Sequence, residues 1–283
     1  MKGTAYLVQS ALISIWWVAL ALSDTFFEAF QFPGIPKVAF YSFLLPDVVL
    51  VAVLSVIRAY VPKRSLEFLI LGAFAYACLY CINASLLTSG GYLSTTLMLL
   101  GLLYNVFLVF QFRVFKTSNT VGFLGNALKT LLQIVSVWSI TLVLFPYIIM
   151  DAFHIEVTSS DVQRIVALFG FVISSLLGLS SAYVLVAFGN GTPLPADQTN
   201  DLVVSGPYRW IRNPMALAGM GQGLSIALYV GSLHLAIYTI LGGLIWHFAV
   251  RPIEERNMVS RFGEAYRTYR DQVGLWIPKR GHR

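Results

Sequence analysis

The sequence predicts an all-α fold, a polytopic membrane bundle of about eight transmembrane helices. Of its 283 residues, 57% are hydrophobic and only 11% are charged, whereas a soluble globular chain has roughly 25% charged residues. Apolar stretches long enough to cross a bilayer also recur along the whole chain. We therefore expect an integral membrane protein in contact with the lipid bilayer. Its excess of basic residues indicates membrane topology and not nucleic-acid binding.

Six apolar stretches have the length of a transmembrane helix, about 17–25 residues, and two shorter ones follow. The long ones lie at about residues 5–23, 38–60, 66–88, 93–112, 126–149 and 165–188, and the shorter ones at about 214–230 and 233–250. The first stretch is too long for a cleavable signal peptide, so we expect it to be the first transmembrane helix. The sequence YVGSLH between the last two is typical of a tight reversal and predicts a helical hairpin.

The basic residues indicate how these stretches are oriented. An even number of spans places both termini on one side of the membrane. If that side is the cytoplasm, every lysine and arginine except Lys37 and Arg164 falls in a cytoplasmic segment, while Asp24 and Asp151 fall outside. The positive-inside rule therefore supports eight spans with both termini in the cytoplasm.

Three residues inside the apolar stretches are candidates for chemistry. Cys78 and Cys81 form a C-x-x-C pattern, which occurs in redox and metal sites. Without a second pair of ligands we interpret them as packing residues and predict no metal site. Asp47, in FLLPDVVLV, has two interpretations that the sequence leaves open. It is either an intramembrane functional carboxylate or a charge near the outer interface at a helix N-terminus.

Polar residues of the predicted cytoplasmic side are concentrated in two segments, the loop 188–214 and the tail from Arg251 onward. The predicted hairpin leaves the cytoplasmic face and returns to it. It therefore brings the loop sequence RNP close to the tail sequence RPIEE. Two distant polar segments are expected to meet at one edge of the membrane.

The loop sequence RNPMALAG predicts a helix start. Asn213 suits the N-cap position and Pro214 suits the first helical position. Free N–H groups at such a start can hold an anion, and Arg209 and Arg212 add cationic donors. The alternative is that both arginines only anchor a helix end to lipid headgroups.

The tail sequence predicts a second helix start at Pro252, where Glu254 and Glu255 are favourable beside the positive end of the helix dipole. We interpret His247 as a histidine satisfied at the interface, with a role as a ligand as the alternative. Four apolar side chains at helical spacing are expected to form one face that covers the membrane end of the bundle. These are Met258, Phe262, Tyr266 and Tyr269.

The sequences GTPLP, LVVSGPYRWIRNPM, RPIEERNM and RFGEAYRTYRDQVGLWIP together resemble the isoprenylcysteine carboxyl methyltransferase family. These are integral membrane enzymes that use S-adenosylmethionine. The family pattern is G-P-Y-x-x-x-R-[HN]-P, a helical hairpin, two glutamates, F-G-x-x-Y-x-x-Y and a late I-P, and all five parts occur here in order. The resemblance covers roughly residues 189–278. It divides the chain into transmembrane helices of unassigned role, 1–188, and a methyltransferase-like region, 189–283.

The resemblance implies a cytosol-facing pocket for S-adenosylmethionine, closed by a C-terminal cytoplasmic helix. It implies methyl transfer to a lipophilic or membrane-embedded acceptor, either a small molecule or a lipidated substrate, with a carboxylate as one candidate nucleophile. The catalytic candidates are Arg209, Arg251 and Glu255. The residues implied to bind the cofactor are Pro207, Tyr208, Arg212, Asn213, Pro214, Glu254 and Glu255.

One departure from the family pattern leaves the acceptor open. Eukaryotic members show R-H-P-x-Y, whereas this chain has Asn213 in place of the histidine and Ala216 in place of the tyrosine. The asparagine is shared with prokaryotic-looking relatives, so we expect a prokaryotic inner membrane protein.

Two other functions remain as alternatives. Membrane reductases of the sterol-reductase type have a related R-H-P-N-Y segment and bind NADPH. The sequence GPYRWIRNPM and the glutamate pair nevertheless favour the methyltransferase. A non-enzymatic membrane transport protein would have polar residues spread through its spans. Here the polarity is concentrated at one cytoplasmic edge.

Overall fold

The computed structural model describes residues 2–110, 115–119 and 122–279. Across these ranges the chain forms helices joined by loops and turns, and no β-strand occurs in them. The all-α prediction is therefore confirmed. Three basic residues counted in the topology, Arg113, Arg280 and Arg283, lie outside the described residues.

All eight predicted apolar stretches are helical. The helices are α1 (Lys2–Leu22), α2 (Lys37–Tyr60), α3 (Arg64–Thr88), α4 (Tyr92–Phe110), α5 (Phe123–Ala152), α6 (Asp161–Gly189), α7 (Pro214–Val230) and α8 (Leu233–Gln272). In the described ranges, seven of these are long and apolar enough to cross a membrane, which makes the chain an integral membrane protein. The exception is α7, with 17 residues, and its crossing of the membrane stays a prediction.

The described residues fall into two compact units. The first contains residues 2–110 and 148–155, and its hydrophobic core is built from α1 to α4 and the short helix Asp24–Phe30. Cys78 and Cys81 are free thiols buried in this core, which confirms their interpretation as packing residues. The second unit contains residues 115–119, 122–147 and 156–279. The predicted division at residue 188 concerns function and stays a prediction.

The hairpin of α7 and α8 forms as predicted. Gly231 ends α7 in the left-handed conformation, with φ 78°, and Ser232 caps α8 by accepting a hydrogen bond from the N–H of Leu235. Because glycine has no Cβ, it adopts this conformation without a steric penalty.

The second helix of the hairpin is longer than the sequence predicted. No new helix begins at Pro252, because α8 continues through it to Gln272. A π-helical segment, Trp246–Val250, comes just before this proline. Proline has no N–H to donate, so the helix needs a local irregularity there, and the wider π-helical turn supplies it.

A kink at Gly263 divides the C-terminal part of α8. Its backbone has φ 54° and ψ −128°, a conformation that glycine adopts far more readily than other residues. The predicted single apolar face is therefore interrupted. Tyr266 and Tyr269 are buried after the kink, whereas Met258 and Phe262 before it are only partly buried.

Helices α6 and α7 approach each other closely in the second unit. A Cβ added to Gly221 would lie 2.3 Å from the hydroxyl of Ser174. Gln222 Nε2 donates a hydrogen bond to Ser175 Oγ across the same contact, at 2.9 Å. Small and hydroxyl side chains of this kind let membrane helices pack tightly, and the contact holds α7 beside the candidate site.

Candidate functional site

The second unit contains a cavity of about 580 Å³. Ligand pockets for small molecules have volumes of roughly 300–1,000 Å³. The cavity wall is formed by α5, α6, α7, α8 and the loop that follows α6. Its polar lining residues include Gln133, Tyr208, Asn213, Gln222, Thr239 and Glu254.

The cavity is long in the direction of α8. Its lining residues on that helix extend from Tyr238 to Glu254, a distance of roughly 24 Å at 1.5 Å per residue. Apolar side chains such as Trp138, Leu142 and Met220 line other parts of the wall. The cavity can therefore hold a polar group and a hydrocarbon chain together.

The turn Gly206–Arg209 places Tyr208 in the cavity wall. Gly206 has φ 57°, and an added Cβ would lie 2.7 Å from a methyl group of Val184, so only glycine fits. The Tyr208 carbonyl accepts a hydrogen bond of 2.7 Å from the Tyr269 hydroxyl. Burial raises the pKa of the Tyr208 phenol, and nearby Tyr269 and Glu254 raise it further. The phenol is therefore a neutral hydrogen-bond donor at physiological pH.

Helix α7 starts at Pro214, as predicted, with Asn213 at the N-cap position. The Asn213 side chain makes no capping hydrogen bond and instead lines the cavity. This amide is therefore placed to contact a bound molecule. Pro214 is fully buried and fixes the first turn of the helix.

The two polar segments meet through an ion pair between Arg212 and Glu255. Arg212 Nη1 donates to Glu255 Oε1 at 2.8 Å, and both side chains are largely buried. Arg251 Nη1 lies 4.0 Å from the same oxygen. The Arg212 backbone N–H donates to the Gly274 carbonyl at 2.9 Å. The predicted approach of the loop to the tail is therefore present in the structure.

Glu254 has different surroundings from its neighbour. It lines the cavity, and no lysine or arginine of the described ranges forms an ion pair with it. A partly buried carboxylate without a cationic partner is suited to a ligand that carries positive charge or hydroxyl groups. The structure thus separates the glutamate pair into one residue that joins the segments and one that faces the cavity.

The structure does not bring the other predicted catalytic residues into the cavity wall. Arg209 is exposed, and its guanidinium lies 5.7 Å from the centre of the Trp210 ring. Arg251 donates from Nε to the His247 carbonyl at 3.1 Å. Pro207 forms part of the turn before α7 and is partly buried.

His247 has a hydrogen-bond partner within the protein, which agrees with the preferred interpretation of the sequence. Trp276 Nε1 donates to His247 Nδ1 at 3.1 Å, and the two rings stack at an interplanar angle of 22°. Trp276 also lines the cavity. The histidine therefore positions a wall residue.

The sequence interpretation missed the polar face of α5. Gln133 lines the cavity, its Nε2 donates to Thr192 Oγ1 at 3.0 Å, and its Oε1 is buried without a partner in the described residues. Lys129, one turn earlier, binds Asp197 at 3.0 Å. Lys129 and Gln133 are polar residues at helical spacing inside an apolar stretch, and this spacing is the sequence signal for a polar helix face. In the topology prediction Lys129 is only one of the cytoplasmic basic residues.

Residues 162–265 match the family model of the phospholipid methyltransferases, integral membrane enzymes related to the isoprenylcysteine carboxyl methyltransferases. The matched segment includes α6, α7 and most of α8, hence much of the cavity wall. It confirms the resemblance that the motifs predicted. Searches of curated proteins and of solved structures gave no match.

Proposed function

We propose that the second unit is an S-adenosylmethionine-dependent methyltransferase whose acceptor is a lipophilic or membrane-embedded molecule. The observation that carries this proposal is the elongated cavity of about 580 Å³, much of whose wall belongs to the matched segment. It has polar groups near the loop and the C-terminal part of α8, and a mainly apolar wall elsewhere that also contains Gln222 and Thr239. Such a cavity suits a polar cofactor that enters from water and an acceptor that enters from the bilayer.

The polar residues of the wall fit this cofactor by their chemistry. The Glu254 carboxylate can accept hydrogen bonds from an ammonium or from ribose hydroxyls, while the Asn213 amide and the Tyr208 phenol can donate to a carboxylate. The buried Gln133 Oε1 has no partner in the described residues and can accept one more hydrogen bond. When bound, S-adenosylmethionine supplies an electrophilic methyl group on its sulfonium.

The Arg212–Glu255 ion pair has a positioning role in this proposal. It joins the loop that carries Tyr208 and Asn213 to the part of α8 that carries Glu254. Methyl transfer depends on alignment at near-attack distance in a site without bulk water. Residues that fix the loop against α8 therefore serve the reaction without contacting the methyl group.

The apolar part of the cavity defines the acceptor class. Trp138, Leu142 and Met220 offer hydrocarbon contacts, and an acyl or isoprenoid chain bound there would place its polar end toward Glu254. The family description favours a phospholipid headgroup as acceptor, and the carboxylate indicated by the motifs is the alternative.

We also propose a prokaryotic inner membrane location with both termini in the cytoplasm, on the basis of the basic residues and the Asn213 variant.

The test is a cofactor-binding and transfer assay on the purified protein in lipid nanodiscs. We expect binding of S-adenosylmethionine and its demethylated product, and transfer of a radiolabelled methyl group to a lipid fraction. Mass spectrometry of that fraction identifies the nitrogen or oxygen that carries the label. Binding of NADPH without binding of S-adenosylmethionine would assign the chain to the reductase class and refute the proposal.

A further inference from the structure

A second buried carboxylate site lies in the first unit, far in sequence from the segment matched by the family. A cavity of about 40 Å³ is lined by Asp47 together with several aromatic side chains. Asp47 is 9% exposed and lies in α2, roughly 15 Å along the helix from Lys37. Its interpretation as an intramembrane carboxylate stays a prediction. Such residues are costly in a bilayer and mark binding sites or pathways.

The Asp47 carboxylate has no cationic partner among the residues that the structure describes. Trp17 Nε1 donates to its Oδ2 at 3.0 Å, and no lysine or arginine of the described ranges forms an ion pair with it. Glu67 in the same unit shows the contrast, since it is equally buried but binds both Lys2, at 3.1 Å, and Arg58. A buried carboxylate with only one neutral donor is incompletely compensated. A bound cation would supply the missing partner.

The wall around Asp47 is aromatic. The Trp17 and Phe40 rings have their centres 6.0 Å apart, and those of Phe43 and Tyr80 are 4.4 Å apart. Aromatic faces attract organic cations through the ring quadrupole. Metal cations such as Ca²⁺ or Mg²⁺ instead require about six oxygen ligands. Besides the Asp47 carboxylate, the side-chain oxygens in this lining are the hydroxyls of Ser94 and Tyr80. This lining therefore offers too few oxygen ligands for such a metal ion.

We propose that the first unit binds the ammonium group of a lipophilic primary amine between Asp47 and its aromatic neighbours. A cavity of about 40 Å³ holds about three water-sized groups, which suits an –NH₃⁺ end and excludes a trimethylammonium. The depth of Asp47 in α2 favours a free amine with a hydrocarbon tail, which can reach the site from within the bilayer. The headgroup of an aminolipid would have to leave the interface. This site is independent of the proposed methyl transfer.

The experiment is calorimetric titration of the full chain in nanodiscs of phosphatidylglycerol, with decylamine, decyltrimethylammonium and decanol as probes. We expect saturable binding of decylamine alone. Asp47→Asn, which keeps the side-chain shape, should weaken it at least tenfold, because the only counter-charge is lost. The control Glu28→Gln removes an exposed carboxylate of the same unit and should bind like the wild type.

A second variant keeps the proposal testable if Asp47→Asn does not fold. Tyr80→Leu removes an aromatic face but keeps an apolar wall, and should weaken decylamine about threefold without improving decanol. Equal binding by wild type and Asp47→Asn, or equal binding of decyltrimethylammonium, would overturn the proposal. Displacement of decylamine by phosphatidylethanolamine in the nanodisc would assign the site to a lipid headgroup and overturn the free-amine assignment.

Discussion

At the residue scale, the adjacent Glu254 and Glu255 have different surroundings because successive residues on a helix point about 100° apart. Glu255 binds Arg212 at 2.8 Å, whereas Glu254 lines the cavity. Only Glu254 is therefore placed to contact a ligand in the cavity directly. A change at either residue should affect cofactor binding, but for separate reasons.

The first prediction concerns Glu254→Gln, which keeps the shape of the side chain and removes its charge. We expect cofactor affinity to fall about tenfold to hundredfold, because one charge-assisted hydrogen bond contributes about 1.5–3 kcal/mol. Equilibrium binding of radiolabelled S-adenosylmethionine measures the loss. Glu264→Gln changes a carboxylate of the same helix whose side chain is 77% exposed, and it should have no effect. An unchanged affinity in Glu254→Gln would remove this residue from the site.

The second prediction concerns the coupling of Arg212 with Glu255. Arg212→Ala and Glu255→Gln should each weaken cofactor binding, and the double variant should lose less than the sum. Residues in direct contact have coupling energies of about 0.5–3 kcal/mol. The reference is Arg267 with Glu264, an exposed pair on α8, whose removal should not change cofactor binding. Additive losses at Arg212 and Glu255 would show that the ion pair does not position the loop.

These residues show how far the sequence predicts the site. The spacing of RNP and RPIEE, with a hairpin between them, correctly predicted that Arg212 and Glu255 come close. It could not show which glutamate faces inward, because that depends on the rotation of α8 about its axis. The helical spacing of Lys129 and Gln133 marks a polar face of α5, but it could not show that this face meets the loop, because that packing is set by tertiary contacts such as Lys129 with Asp197.

At the element scale, α8 joins an apolar segment and a polar C-terminal segment in one continuous helix, Leu233–Gln272. Periodicity predicted both parts, and Pro252 was interpreted as the start of the second. The structure instead accommodates the proline after a π-helical segment and changes direction at Gly263. Proline is compatible with both a helix start and a π-bulge, so the sequence alone did not distinguish them. The kink allows Tyr269 to donate to the Tyr208 carbonyl.

The third prediction concerns this kink. Gly263→Ala should destabilise the native conformation by about 1–3 kcal/mol, because alanine is strained at φ 54° and ψ −128°. Apart from the adjoining residues and nearby helix backbone, no atom of the described residues lies within 4 Å of the added Cβ, so the cost arises from the local backbone conformation. Gly72→Ala is the matched control, since its added Cβ also has no neighbour within 4 Å and its φ is not positive. Thermal unfolding in detergent measures both. Equal unfolding temperatures would show that the kink is not required.

At the scale of the whole molecule, composition and span length predicted a helical membrane protein correctly, since the bilayer allows few other solutions. They did not predict that the described chain divides into two compact units with boundaries near residues 112, 147 and 155. Such boundaries follow from which helices pack together. Hydropathy describes each helix against lipid and contains no information on its neighbours. The orientation of the helices depends on the flanking charges, and that is open to a direct experiment.

The fourth prediction concerns topology. The positive-inside pattern requires both termini on the cytoplasmic side and the segment between α5 and α6 on the other side. In a background without Cys78 and Cys81, cysteines introduced after Met1 and before Arg283 should react with a membrane-impermeant maleimide only when the cytoplasmic face is accessible. A cysteine introduced between Asp151 and Asp161 should react from outside in intact cells. This result also tests α7, because seven spans would place the termini on opposite sides. Labelling of the two termini from opposite faces would therefore show that α7 does not cross the membrane.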